Sequence, residues 1–305
     1  MRVGVTGSSG FIGTALTAAL RERGDEVVRF IRPDSPDTDD QFIRWDPNLH
    51  FIDDGDLQRV GHLDAVVNLA GVGIGDERWS PSRKRDIESS RLDATVLLVE
   101  ALLTMSERPT IVASGSAVGV YGSCDDDILD ETSPSGDDSL AQICVAWEAA
   151  TSPLTAAGID VALLRSGIVM SAHGGALKRQ LPLFRFGLGG RLANGRQWLS
   201  PISLRDEVRA ILWVIDQRLT GPVNLVAPMP LRNKDFTKLL GRAVRRPALL
   251  WVPARVLKIA LGKELTTGAV LASQRVVPTK LLKSGFHFDN PGPTSILRES
   301  LRRGN

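Results

Sequence analysis

The sequence predicts an α/β protein, a doubly wound parallel sheet joined to a smaller α+β carboxyl-terminal domain. Three observations carry this expectation. Val3-Gly4-Val5-Thr6-Gly7-Ser8-Ser9-Gly10-Phe11-Ile12-Gly13 runs from an apolar strand through a glycine loop into an alanine- and leucine-rich helix. Apolar runs that read as buried strands then alternate with helical stretches as far as Arg165. Beyond that point the composition shifts to glycine-rich turns and short elements, and 305 residues is long for one core. The expected division is residues 1–166 and 167–305, the second part including a closing segment at about 250–300.

The glycines are spaced G-x-x-G-x-x-G. As a strand, loop and helix start, they place backbone N–H groups and a positive helix end where a pyrophosphate would sit. Ile12, Leu16 and Leu20 share one helix face, Gly24 ends that helix, and Glu26 to Ile31 reads as a second parallel strand. Arg32 stands at its tip, followed by Pro33. At this place in dinucleotide folds a carboxylate takes ribose hydroxyls or a cation takes a 2′-phosphate, so Arg32 favours NADP(H) over NAD(H). A solvated arginine at a strand end is the plain alternative. The acidic, proline-broken loop from Asp34 to Asp40 is expected to be mobile.

Phe42 to Trp45 is a short third strand, and Leu63 to Ala70 a buried fourth one running into Gly71. Ser80-Pro81 starts a helix that extends to about Met105. Thr110 to Ala113 is the fifth strand, and Ser114 to Gly122 leaves its carboxyl end, where ligands bind in open parallel sheets. A helix from Asp138 to Ala150 and a sixth strand from Asp160 to Arg165 follow, and Ser166 to Val169 crosses into the second domain. There Gly174-Gly175 opens a short helix, Asn194-Gly195 reads as a two-residue hairpin turn, Leu204 to Asp216 is helical, Pro222 to Ala227 is a strand, and Asn233 caps a helix through Ala243. Arg191, Arg196 and Trp198 suit an anionic or planar substrate, or form no more than a basic loop.

The formal charge is +2 with both signs interspersed, which gives no nucleic-acid or membrane footprint. Cys124 and Cys144 are the only thiols, and the chain opens in a strand with no signal peptide or long apolar span, as expected of a reduced, cytoplasmic protein. The four histidines share no ligand-type spacing with the cysteines, so no metal site is expected.

The glycine loop, Asn68-Leu69-Ala70-Gly71 and Ser114-Gly115-Ser116-Ala117-Val118-Gly119-Val120-Tyr121-Gly122 resemble the extended short-chain dehydrogenase/reductase superfamily. With Trp147-Glu148-Ala149-Ala150, the stretch Leu183 to Arg191, Arg246 to Pro253, Leu271 to Pro278 and Leu281 to Phe286, nearly the whole chain resembles an atypical, epimerase-like family of that group, sometimes labelled cell-division-inhibitor-like. The resemblance implies a Rossmann domain, an NADP(H) site and a small carboxyl-terminal domain, but it supplies no substrate. It places Leu69, Ala70 and Gly71 along the adenosine half of the cofactor, Arg91 on a helix passing beneath it, and the backbone near Val169 against the nicotinamide amide. Ser116, or else Ser114, corresponds to the superfamily's substrate-polarising serine. A homodimer would form through the helices Pro81–Met105 and Asp138–Ala150.

One departure is decisive for mechanism. The superfamily's proton relay is a tyrosine four residues before a lysine, and no Tyr-x-x-x-Lys exists here; Leu140 and Cys144 fall at that spacing. The resulting expectation is an NADP(H)-dependent oxidoreductase or epimerase for a small polar, nucleotide-sugar-like substrate. Gly7, Ser9, Gly10, Phe11, Ile12 and Gly13 would cradle the pyrophosphate and Ser116 would bind a substrate oxygen. The proton would come from Tyr121, Asp130, Glu131 or water. A non-catalytic NADP(H) sensor is the rival expectation.

Overall fold

The computed structural model describes residues 1–36 and 41–302. Most of the acidic loop expected to be mobile, from position 37 to 40, lies outside the described residues. Eight strands form the central sheet: β1 (Arg2–Thr6), β2 (Glu26–Ile31), β3 (Phe42–Asp46), β4 (Phe51–Ile52), β5 (Ala65–Asn68), β6 (Ile111–Ala117), β7 (Asp160–Ser166) and β8 (Gly221–Leu225). Their spatial order is β8-β7-β6-β5-β1-β2-β3-β4. Every pairing is parallel except β3 with β4. The chain winds outward from β1 through β4 and then restarts at β5 on the other side of β1. That reversal opens a crevice at the carboxyl ends of β1 and β5, where such sheets bind ligands.

Helices cover both faces, which is why the strands are almost continuously apolar. On one face, α1 (Phe11–Glu22) and α7 (Leu204–Asp216) pack Leu16, Leu20, Ile211 and Val214 against Val3, Val5 and Val67. On the other, α3 (Pro81–Thr104) packs Leu98 and Leu102 against Val28, Val66 and Val112, with Leu57 of α2 (Asp54–Val60) and Leu154 of α5 (Ser152–Ala156) alongside. Four-carbon side chains buried in this way contribute roughly 1.5–3 kcal/mol each. Helix α4 (Ser139–Ala149) begins at Asp138, whose carboxylate accepts from the backbone N–H groups of Leu140 and Ala141. Trp147 and Leu140 of this helix are 7% and 8% exposed and pack in the core.

The smaller part is built on α6 (Gly175–Arg185), α8 (Asn233–Ala243) and the carboxyl-terminal helix Pro293–Ser300, around Leu177, Leu181, Phe184, Phe236 and Leu240. Strand β8 and helix α7 return to the central sheet, so a division at residue 166 separates the sequence more sharply than the fold does. Three local expectations need correction. The fifth strand extends past Ala113 to Ala117, so both serines lie within it. Asn194-Gly195 does make a tight turn, with Ala193 and Gly195 at positive φ, but no hairpin follows. Gly190–Leu192 instead pairs in parallel with Leu250–Val252, and Trp198–Leu199 pairs antiparallel with Leu231–Arg232. Asn233 is the first helical residue of α8 and not its cap; its Oδ1 accepts from the Leu192 N–H at 2.9 Å. No helix among the described residues is long and apolar enough to cross a membrane.

Candidate active site

The glycine loop fills the crevice mouth, and Gly7 and Gly13 are there because nothing larger fits. A Cβ on Gly13 would overlap the Gly7 carbonyl, and one on Gly7, which sits at φ +62°, would come within 2.5 Å of the Leu69 carbonyl oxygen. Gly10 is the N-cap of α1 and contributes no side-chain cap, so the helix presents its first N–H groups and positive end to the crevice. Beneath the loop, Thr6 Oγ1 donates to Asn68 Oδ1 at 2.7 Å and accepts from the N–H groups of Leu69 and Ala70. Asn68 Nδ2 in turn donates to Thr95 and Ser114, and Trp147 Nε1 donates to Thr95. This buried network ties the tips of β1, β5 and β6 to α3 and α4. Thr6 and Thr95 escaped the sequence reading, since a threonine in an apolar run looks like ordinary strand or helix filling.

A cavity of about 350 Å³ lies between the loop and the tips of β2 and β3, lined among others by Gly7, Ser9, Arg32, Ser35, Asn48 and Gly71. Arg32 is half-exposed there and pairs with Asp46. The Arg32 guanidinium, the Ser9 and Ser35 hydroxyls and the Asn48 amide on this lining are donors that suit the phosphorylated ribose of a dinucleotide. Arg91 lies under the turn after β5: its guanidinium donates to the carbonyls of Ile87 and Val72 and stacks over the Trp147 ring at 5.1 Å. Burial pulls its pKa below the usual arginine range. A Cβ on Gly71 would meet Arg91 Cγ at 3.1 Å, so Arg91 supports the backbone of that turn. Phe11 is roofed by Gly174 and Gly175 at the start of α6, and Val169 lies in the short strand Ile168–Met170, paired with Pro201–Ser203. Ile12 packs into the core behind the loop.

At the far end of β6 the two candidate serines part company. Ser114 is held by Asn68 beneath the surface of the site. Ser116 Oγ donates to Glu148 Oε1 on α4 at 2.6 Å. Glu148 is gripped by Arg165 of β7 through both oxygens, at 2.8 Å from Nε and 2.9 Å from the second terminal nitrogen. Burial works against the Arg165 charge, but the Glu148 carboxylate and the Tyr121 phenol outweigh it and raise its pKa. Glu148 and Arg165 were not singled out from the sequence. Position 148 lies one turn beyond Cys144 on the face that would carry a Tyr-x-x-x-Lys pair, and that spacing was the available signal.

Tyr121 sits elsewhere in the same network. It is 1% exposed; its hydroxyl donates to Asn224 Oδ1 at 2.7 Å and accepts from Arg165 at 3.0 Å. Burial raises its pKa, only partly offset by Arg165. The Tyr121 phenol is thus buried, harder to ionise than usual, and links Asn224 to Arg165 through its hydroxyl. The Asp130 carboxylate accepts from the N–H and hydroxyl of Thr132 while the Asp130 N–H donates to Ser133 Oγ, and Glu131 accepts from the N–H groups of Asn224 and Lys280. Leu140 packs with Trp79, Ile87 and Leu265, and burial pushes the Cys144 thiol up to about 12. Neither position of the missing relay retains a group that exchanges protons near neutrality. Trp198 is flanked by Arg232 and Arg275, its ring 4.4 and 4.6 Å from their guanidinium carbons, and its Nε1 donates to Asp126. Two of the chain's own arginines therefore lie against the Trp198 ring.

Residues 3–226 match the NAD dependent epimerase/dehydratase family, and residues 252–299 match a domain of unknown function, DUF1731. An epimerase family protein of Mycobacterium bovis is 44% identical over 287 residues, spanning 94% of this chain and 93% of that one. The crystal structure of the human epimerase family protein SDR39U1 with NADPH superposes with a TM-score of 0.88 at 32% identity, covering 98% of each chain. A nucleoside-diphosphate sugar epimerase from Corynebacterium glutamicum gives 0.79 at 33% identity, over 98% of this chain and 58% of that one. With its Rossmann sheet, glycine loop and matching closing segment, the chain belongs to the NAD-dependent epimerase/dehydratase family.

Proposed function

We propose that the protein is an NADP(H)-dependent oxidoreductase or epimerase in which Ser116 and Glu148 handle the proton that the superfamily's tyrosine and lysine would otherwise handle. The observation that carries this reading is the 2.6 Å hydrogen bond from Ser116 Oγ to a carboxylate fixed by two bonds from Arg165. Because the serine hydrogen is committed to Glu148, Ser116 offers the substrate a lone pair. A substrate hydroxyl would lose its proton to Ser116 Oγ as the serine proton passes to Glu148 Oε1; the reverse path would protonate a carbonyl oxygen. The dinucleotide, when bound, supplies or accepts the hydride.

Support for the cofactor comes from the glycine loop, the uncapped start of α1 and the cavity bearing Arg32, together with the relative crystallised with NADPH. Arg32 would take the 2′-phosphate, Ala70 and Gly71 would border the adenosine, and Arg91 would hold that turn in place. Leu69 would bring its backbone to the same edge, and Val169 would meet the nicotinamide amide. A nucleotide-linked sugar is the favoured substrate class, following the C. glutamicum relative's name. The test is NADPH oxidation against a panel of nucleotide sugars and simple ketones, with Ser116→Ala and Glu148→Gln beside the parent protein. Turnover that both variants lose while still binding NADPH supports the reading. Tight NADPH binding with no turnover by the parent across the panel would favour the sensor.

A further inference from the structure

The near balance of 37 basic and 35 acidic residues hides a segregated face. Residues 236–263 contain seven lysines and arginines and no carboxylate, and residues 175–191 contain four and none. The fold brings these two segments together: Gly190–Leu192 pairs with Leu250–Val252, and Arg246 Nε donates to the Arg185 carbonyl at 3.2 Å. Eight of the fifteen large hydrophobic side chains exposed among the described residues lie on them. Leu249 is 88% exposed, Phe186 80%, Ile259 73% and Trp251 59%. Single exposed apolar residues are ordinary, whereas a cluster of this kind marks a contact surface.

The cations lie among these side chains. A recess of about 410 Å³ at the end of α8 is lined by Lys238, Arg242, Arg245, Arg246, Pro247 and Leu249. Next along the chain, the helix Ala254–Leu261 buries Leu257 and exposes Arg255, Val256, Lys258 and Ile259. Glu264, the next carboxylate in sequence, is paired with Lys84.

We propose that this face docks on the surface of an anionic lipid bilayer. Guanidinium and ammonium groups would meet the headgroup phosphates, one of them seated in the recess at the end of α8. Phe186, Leu249, Trp251 and Ile259 would enter the boundary between headgroups and acyl chains. Charge complementarity selects this occupant, because the two segments carry eleven cations and no carboxylate around protruding aliphatic and aromatic tips, with Arg179 paired to Asp76 at their margin. A fluid interface accommodates such tips without a matching groove. The proposal is independent of the reaction assigned above.

The test is flotation of the full-length protein with phosphatidylcholine vesicles, with and without phosphatidylglycerol. Binding is expected only with phosphatidylglycerol and should weaken as salt is added. Arg242→Gln combined with Arg255→Gln should weaken partitioning by roughly 25-fold, from about fivefold per cation. Trp251→Ser should weaken it independently while leaving the thermal midpoint and NADPH affinity unchanged. Equal binding to both vesicle types, no binding to either, or full binding by the double variant would overturn the proposal. So would a Trp251-dependent dimer, or nucleic-acid binding, in a protein that ignores anionic vesicles.

Discussion

Ser116 Oγ and Glu148 Oε1 stand 2.6 Å apart, joining the carboxyl end of β6 to α4. The bond spends the serine's only hydrogen on a carboxylate of this chain. Ser116→Ala and Glu148→Gln should each lower turnover by roughly 10²- to 10⁴-fold, the range ascribed to positioned acid–base groups. NADPH affinity, read by calorimetry, should stay within error of the parent. A parallel loss of affinity in both would instead make the pair a scaffold for the cofactor.

Tyr121→Phe removes one hydroxyl but strands two partners, the Asn224 oxygen and an Arg165 N–H. Leaving buried polar groups unpaired costs about 1–3 kcal/mol. The expected result is a lower denaturation midpoint with turnover per folded molecule retained. Loss of turnover at unchanged stability would return Tyr121 to the chemistry.

Gly13→Ala pushes a methyl into the Gly7 carbonyl, and neither backbone can give way without opening the loop. Nicotinamide dinucleotide binding should become undetectable by calorimetry while the far-UV circular dichroism remains that of a folded α/β protein.

Arg32→Ala should separate the two dinucleotides. Charge-assisted hydrogen bonds to a phosphate contribute about 1.5–3 kcal/mol, or roughly 10- to 150-fold in affinity for NADPH. NADH, lacking the 2′-phosphate, should bind the variant as it binds the parent. An equal loss for both would show that Arg32 serves the loop through Asp46 and not the phosphate.

Glu207 on α7 is fully buried; one oxygen accepts from Ser166 Oγ at 2.5 Å and the other has no partner among the described residues. Burial pushes its pKa up to about 8, with the Ser166 bond pulling the other way. The folded state therefore holds this proton more tightly than the unfolded chain. Its stabilising effect is full below the ordinary glutamate pKa and is lost as pH rises through about 8. The unfolding free energy from denaturant titrations should fall across that window, by on the order of a few kcal/mol in total. Glu207→Gln should flatten the fall, and an equally steep one in the variant would assign the titration elsewhere.

The amino-terminal half was readable because its signals are local. Gly7, Gly10 and Gly13 encode a backbone path, Ser80-Pro81 encodes a helix start, and uninterrupted apolar runs encode strands covered on both faces. The second part was read less well: Asn194-Gly195 has the chemistry of a hairpin turn, yet the flanking strands found partners some 30 to 60 residues away.

The sequence by itself determined that this chain would wind a parallel sheet around a dinucleotide-type loop and that the usual tyrosine–lysine relay would be missing. Tertiary structure alone decided what stands near that gap. Ser116, Glu148, Arg165, Tyr121 and Asn224 come from separate elements across the fold, and nothing in their spacing announces that they form one hydrogen-bonded chain. Local propensity fixes the backbone through neighbours a few residues away. A buried polar network is fixed by the requirement that every desolvated donor and acceptor find a partner, and only the packed molecule supplies those partners.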